Sequence, residues 1–307
     1  MVRNSKILVA GGSGFIGANL IQELISLDNE VISISKNKNT KITKIKKAKY
    51  IYHDLTKPLP QDKFKFLSDI QYVVNCSGYI NHSDFSNGGI NILNDHFESV
   101  VNLVNFSINL KLKSFIQIGS SDEYGNNISP INESIRESPI SPYAIGKLTS
   151  THYLQQCFRQ GALNTIIFRP FLVFGEGQSK KRYLPYLIDN CIHDRNFAVT
   201  KGDQIRDYLY IKDFNFALIK ALNNQKAYGE VFNIASGFPI TIKEVTESVK
   251  EIVGKGKPIY GGIDYRKGES MKLYADVTKA KEILNWEPKF KFRDSLKKVI
   301  NWYQENN

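Results

Sequence analysis

Ile7-Leu8-Val9-Ala10-Gly11-Gly12-Ser13-Gly14-Phe15-Ile16-Gly17 decides the fold. The apolar run Ile7 to Ala10 reads as a buried strand, and Phe15 to Leu27 places its apolar residues at helical spacing. Gly11 and Gly14 let the turn between them be tight and come close to a ligand, while Gly17 lets the helix pack near the strand. The helix N-terminus, with Phe15 and Ile16 in its first turn, offers free N–H groups and a partial positive charge. Strand, turn and helix in this order suit the pyrophosphate of a dinucleotide.

The rest of the chain extends this pattern. Strands are predicted near 6–11, 30–35, 49–53, 71–76, 114–119 and 164–169, with helical patterns between most of them. Such alternation predicts an α/β protein with a Rossmann-like, doubly wound parallel sheet covered on both faces. Beyond Val173 the rhythm loosens. Short strands near 197–200, 208–211, 230–234 and 257–260 mix with helices over Ile242 to Val253 and Arg293 to Tyr303. This divides the chain into a cofactor-binding domain, 1–173, and a smaller C-terminal α/β lobe, 174–307, that is mainly substrate-binding. No linker separates them, so the two are expected to pack as one unit, with the chain free to cross between them.

Composition narrows the function. The net charge is +11 over 307 residues, with a basic cluster from Lys36 to Lys47. That cluster lacks interleaved aromatics, so the lysines read as solvated surface and no nucleic-acid partner is expected. Cys76, Cys157 and Cys191 are isolated, which suggests neither disulfides nor a metal site. His53, His82, His96, His152 and His193 show no ligand spacing and read as structural. Met1 to Lys6 leads straight into the first strand and no run reaches the roughly 18 apolar residues of a membrane span, so a cytoplasmic protein without a membrane partner is expected.

The chemistry is carried by Ser141-Pro142-Tyr143-Ala144-Ile145-Gly146-Lys147, which sets a Tyr and a Lys four residues apart on one helix face. A free phenol has a pKa of about 10 and needs a nearby cation to shuttle protons at neutral pH. Lys147 is placed to supply it. Ser120 falls at the C-terminal end of a predicted strand, where open α/β sheets bind ligands, and could hold a carbonyl or hydroxyl oxygen beside Tyr143. Such a trio suits proton transfer coupled to hydride transfer at nicotinamide. Alone, an i,i+4 Tyr/Lys pair would be an ordinary helix face.

With these motifs the chain resembles the extended short-chain dehydrogenase/reductase family, which comprises nucleotide-sugar epimerases, dehydratases and reductases. The likeness also covers Asp54-Leu55, Gly119-Ser120-Ser121, Arg169-Pro170-Phe171-Leu172-Val173-Phe174-Gly175, Gln204-Ile205-Arg206-Asp207-Tyr208 and Leu284-Asn285-Trp286-Glu287-Pro288. It implies that Ser120, Tyr143 and Lys147 are catalytic, with Tyr143 and Lys147 also touching the cofactor. It further implies that Asp54 and Leu55 meet the adenine, that Cys76-Ser77-Gly78 and Phe171 border the cofactor, and that Arg206 and Arg266 clamp a substrate diphosphate. The bland alternative pairs Arg206 with Asp207 or Asp213, and Arg266 with Glu269. Family members commonly dimerise through the helices near 92–110 and 142–160. Here Val100, Val101, Leu103, Val104, Tyr153, Leu154 and Phe158 supply surplus apolar side chains for a homodimer.

Two positions bear on specificity. NAD-preferring relatives place an acid at the end of the second strand, where this chain has Ser35 followed by Lys36 and Lys38. A hydroxyl and ammonium groups suit the 2′-phosphate of NADP(H), with NAD(H) as the other option. Dehydratases of the family follow the catalytic hydroxyl with Asp-Glu. Counting back from Tyr124-Gly125, the hydroxyl is Ser120 and Ser121-Asp122 take those places, leaving the dehydration acid missing; a frame with Ser121 catalytic would restore it as Asp122-Glu123. Leu172 stands where many epimerases have an Asn against the sugar nucleotide. The ungapped frame, with Ser121, Asp122 and Leu172 facing substrate, points first to an NADPH-dependent reductase of a nucleoside-diphosphate 4-keto-6-deoxyhexose. The alternatives are a 4-epimerase with tightly bound NAD, then a 4,6-dehydratase or a non-catalytic cofactor-binding protein.

Overall fold

A computed structural model describes residues 1–36, 45–266 and 268–306. Its N-terminal part runs β1 (Lys6–Ala10), α1 (Phe15–Ser26), β2 (Glu30–Ser35), β3 (Lys49–Tyr52), β4 (Tyr72–Asn75), α2 (Gly89–Ser107), β5 (Ser114–Ile118), α3 (Pro142–Arg159) and β6 (Thr165–Pro170). The chain continues through β7 (Leu172–Phe174), α4 (Tyr183–Ile192), β8 (Asn196–Val199), β9 (Ile205–Tyr210), α5 (Ile211–Ala221) and β10 (Val231–Ile234). It ends with β11 (Pro239–Thr241), α6 (Ile242–Val253), β12 (Lys257–Tyr260), β13 (Lys272–Leu273), α7 (Thr278–Leu284) and α8 (Phe292–Glu305).

The principal sheet has seven strands in the order β10-β6-β5-β4-β1-β2-β3, all parallel. Strands β4 and β5 are buried along their whole length. Alternate side chains therefore serve opposite faces: Ile7 and Val9 join α1 and the C-terminal helices in one core, while Leu8 and Ala10 join α2 and α3 in another. Between β1 and β4 the strand order reverses. At that point the loops at the carboxyl ends part and leave a crevice, which is where sheets of this kind bind ligands.

The chain after Val173 does not stay apart from the sheet. β10 returns to extend it beside β6, and β9 gathers β7, β11 and β13 into a second, smaller sheet. The Leu284 to Pro288 motif locks this return: the buried Trp286 indole donates to Asp213 O at 3.1 Å, and the Asp213 carboxylate accepts the Lys289 and Phe290 N–H groups. α2 and α3 pack side by side against the sheet. That position buries Val100, Leu103, Val104 and Leu154 inside the chain and leaves Val101, Tyr153 and Phe158 half-covered, so the apolar surplus is smaller than the sequence suggested. Among the described residues, no helix is long and apolar enough to cross a membrane.

Candidate active site

Loops after β1, β2, β3 and β4 enclose a cavity of ≈ 300 Å³ lined by Gly11, Gly14, Ser35, Lys36, Asp54 and Leu55, and by Cys76, Ser77 and Gly78. The glycine turn has no room for side chains. Gly11 has φ +74°, and a Cβ there would stand 2.7 Å from the Ser77 backbone; a Cβ on Gly17 would stand 2.4 Å from Gly11 O. Gly14 is freer, its Cβ meeting only Gly11 O at 3.3 Å. The Ser35 hydroxyl is buried at the cavity wall with no hydrogen-bond partner among the described residues. An orphaned donor in such a position fits a polar group of a bound dinucleotide. Lys36 Nζ lies 2.8 Å from Asp54, whose carboxylate also accepts from Thr56. Phe15 and Ile16 pack into the core instead of lining the cavity, and Lys38 falls outside the described residues. Burial pushes the Cys76 thiol up to about 12, so it is a packing group here.

Ser141 caps α3 by accepting the Ala144 N–H, which sets Tyr143 and Lys147 on the buried face of the helix. Lys147 Nζ donates to Ile118 O at 2.9 Å, and burial lowers its pKa to about 8. A Cβ on Gly78 would come within 3.4 Å of that ammonium, so Lys147 reaches the cofactor cavity. Burial raises the Tyr143 phenol far above its ordinary value, and the Asp122 charge adds to the rise; the Ser120 side chain and Arg182 oppose it. Arg182 thus joins Lys147 as a cation of this centre, the Lys147 ammonium being held by Ile118 O. Two histidines flank the phenol ring edge to face: His82 at 5.6 Å and His96 at 5.0 Å between ring centroids. Burial lowers the His96 pKa to about 3, and its Nε2 meets Tyr79 O at 2.9 Å.

On the other side of Tyr143 lies a larger cavity of ≈ 420 Å³. Its wall holds Ser120, Ser121, Asp122 and Leu172, together with Arg206 and Arg266 from the C-terminal part. Phe171 also lines this cavity and not the cofactor side, since its N–H is tied to Ile234 O at the crossing from β6 to β7. Arg206 is buried and pairs with Glu269 across 63 residues, with Nη1 donating to Ile205 O. The alternative partners do other work. Asp207 accepts the Ser236 and Gly237 N–H groups, and Asp213 holds the C-terminal motif.

The Glu123 carboxylate settles how the Gly119 to Tyr124 segment is used. It is fully buried and accepts the Ser120 N–H, the Thr151 hydroxyl and the Arg169 Nε at 2.9, 2.9 and 2.7 Å. Gly119 makes room for it, because a Cβ there would stand 2.4 Å from Glu123 Oε1. Arg169 in turn reaches Glu137 and lies over the Tyr124 ring. Fully buried, with three donors on its two oxygens, Glu123 is a framework group, and the hydroxyl that acts on Tyr143 is Ser120.

A family model described as the NAD dependent epimerase/dehydratase family matches residues 7–235. The chain belongs to this family. Among its relatives, the human dTDP-D-glucose 4,6-dehydratase is 26% identical over 98% of this chain and 90% of its own. The UDP-glucuronate 4-epimerase of Thermodesulfobacterium geofontis is 24% identical, covering 97% and 96%. The crystal structure of the Thermotoga maritima UDP-glucose 4-epimerase with UDP-glucose superposes with a TM-score of 0.91 at 26% identity, covering 98% of this chain and 99% of that one. Membership of the epimerase/dehydratase family accounts for the parallel sheet, the glycine turn and the paired cavities. These relatives are 4-epimerases and a 4,6-dehydratase, which favours the epimerase alternative over the 4-keto-sugar reductase placed first from the sequence.

Sequence reasoning missed the flanking histidines and Arg182. No local pattern marks them: His82 and His96 lie in a loop and a helix that approach Tyr143 only in the folded chain, and Arg182 precedes α4, a helix the sequence pass did not single out.

Proposed function

We propose that the protein is a nucleotide-sugar 4-epimerase using retained NAD. The observation that carries the choice against a dehydratase is the locked Glu123, which leaves no acid–base pair following the Ser120 hydroxyl. The 4-epimerase relatives argue against a consuming reductase. A dinucleotide held by Gly11, Gly14, Ser35, Asp54, Ser77 and Gly78 would supply reversible hydride chemistry at its nicotinamide. For their part, the chain's residues move and hold a proton. Tyr143 would accept the proton of the sugar C4 hydroxyl as its phenolate, a form that the Arg182 charge favours against burial and that the positive charge of an oxidised nicotinamide would favour further, and would return that proton after the opposite face has turned toward the cofactor cavity. Ser120 orients the C4 oxygen, Lys147 holds the cofactor side of the site, and Arg206 and Arg266 receive the diphosphate. Leu172, Ser121 and Asp122 border the sugar.

NAD is preferred over NADP in this reading because the Lys36 ammonium is engaged by Asp54, whose carboxylate would repel a 2′-phosphate. Residues 1–173 serve mainly the cofactor and 174–307 mainly the substrate. The half-buried Val101 and Tyr153, with the Phe97–Tyr153 ring contact, support a homodimer across α2 and α3. The deciding experiment incubates the purified protein with UDP-glucose, UDP-N-acetylglucosamine and UDP-glucuronate without added cofactor. A C4 epimer formed without net cofactor consumption is expected. NADPH consumed mole for mole with a 4-keto-6-deoxysugar would restore the reductase, and a 4-keto-6-deoxy product would mean a dehydratase.

A further inference from the structure

His82 is the one imidazole on the substrate side of Tyr143 that nothing so far has used. It sits in the segment after β4 that first walls the cofactor cavity with Cys76, Ser77, Gly78 and Tyr79, then turns into the substrate cavity with Ile80 and His82. Its ring meets the Tyr143 ring at 5.6 Å with planes at 78°. Its Nε2 lies 3.8 Å from Asp122 Oδ2. On the far side His96 meets the same phenol ring at 5.0 Å and 82°, and is itself fixed by Tyr79 O. Tyr143 is therefore held between two ring contacts, one buried and one open to the substrate cavity.

We propose that His82 is a positioning residue for Tyr143, holding the phenol ring from the substrate side. The proposal rests on the reading of Tyr143 as the proton-transfer group. Edge-to-face contacts of this geometry favour one ring orientation, and turnover demands that the phenol oxygen stay within hydrogen-bond reach of the sugar oxygen. The charged groups around this centre are Asp122, which faces His82, Arg182 and Arg206, and Glu123, Arg182 and Asp122 itself, which act on Tyr143.

Three variants separate the ring contact from the polar edge of the imidazole: His82→Ala removes both, His82→Phe keeps a ring edge without the polar group, and His82→Asn keeps a polar group without the ring. The expected result is a kcat lowered about tenfold in His82→Ala with KM within about threefold of the parent, and recovery of most of that loss in His82→Phe. A raised KM at unchanged kcat would make His82 a substrate contact and overturn the proposal, as would parental kcat in all three. Ring contact is read independently of turnover from the carbon-bound histidine protons in magnetic resonance spectra. A His82 signal displaced by the phenol ring should vanish in His82→Phe and return to an ordinary position in Tyr143→Leu. If no nucleotide hexose is turned over by the parent, the function is wrong and this signal alone judges the contact; a His82 signal indifferent to Tyr143→Leu overturns it.

Discussion

The two cavities flanking Tyr143 are made of different material. The cofactor cavity combines glycine-turn backbone and small residues with side chains such as Lys36, His53, Asp54 and Tyr79, from four neighbouring strand ends and α2, all between Gly11 and Ser99. The substrate cavity is walled by large and charged side chains from segments spread between Ile80 and Glu269. Where backbone forms the wall, glycine geometry fixes it and tolerates little change of shape. A cavity of side chains can be retuned one residue at a time, which is how one family serves many sugars.

Tyr143→Phe tests the junction and carries the largest expected effect. It keeps the ring contacts with His82 and His96 but deletes the proton, so kcat should fall by roughly two to four orders of magnitude. Affinities for cofactor and for nucleotide sugar should stay near the parental values by calorimetry. A loss of affinity would mean that the two cavities are not independent across the phenol.

Gly11→Ala and Arg206→Ala then probe each wall. At Gly11 the new Cβ would meet the Ser77 backbone at 2.7 Å in a left-handed conformation, a strain of about 1–3 kcal/mol that should weaken NAD binding at least about tenfold. Arg206→Ala should weaken nucleotide-sugar binding roughly ten- to hundredfold while sparing NAD. Crossed effects, with Gly11→Ala impairing the sugar nucleotide and Arg206→Ala the cofactor, would erase the contrast.

The smallest free-energy change is expected in the stability of a Lys147 variant, where function and stability pull apart. Lys147→Met removes a buried ammonium, and Ile118 O keeps the Gln117 side-chain donor, so the cofactor-free protein should melt roughly 2–4 °C higher at pH 7 while losing activity. The folded pKa of about 8 lies below that of an unfolded lysine, so between those values the unfolded chain holds the extra proton. Parental stability on this account rises with pH across that window. The advantage of the Met variant should shrink from pH 8 upward, and an advantage constant with pH would show that Lys147 is not the cause.

Legibility follows the same division. The strands from β1 to β6 sit where they are predicted, because the central ones, buried on both faces, need mainly apolar segments, while β3 at the edge is marked by its β-forming Tyr50-Ile51-Tyr52. Helices α4 and α5 and strands β7, β11 and β13 were not singled out. Each of these strands has at most three residues and takes its partners from β9, so its pairing is written in another segment. Phe171 went to the wrong cavity for a related reason: the crossing from β6 to β7 decides which side its ring faces.

The sequence by itself determined the glycine turn, the helical Tyr143/Lys147 spacing and the positions of the strands along the chain from β1 to β6, since these depend on neighbours within a few residues. Only the tertiary structure decided that Glu123 is consumed by Arg169, that Arg206 meets Glu269 and that two histidines clasp Tyr143. Those contacts join residues from 46 to 63 positions apart. Their geometry is set by how loops leave the sheet and by what burial makes of each charge, and neither quantity exists until the chain has packed.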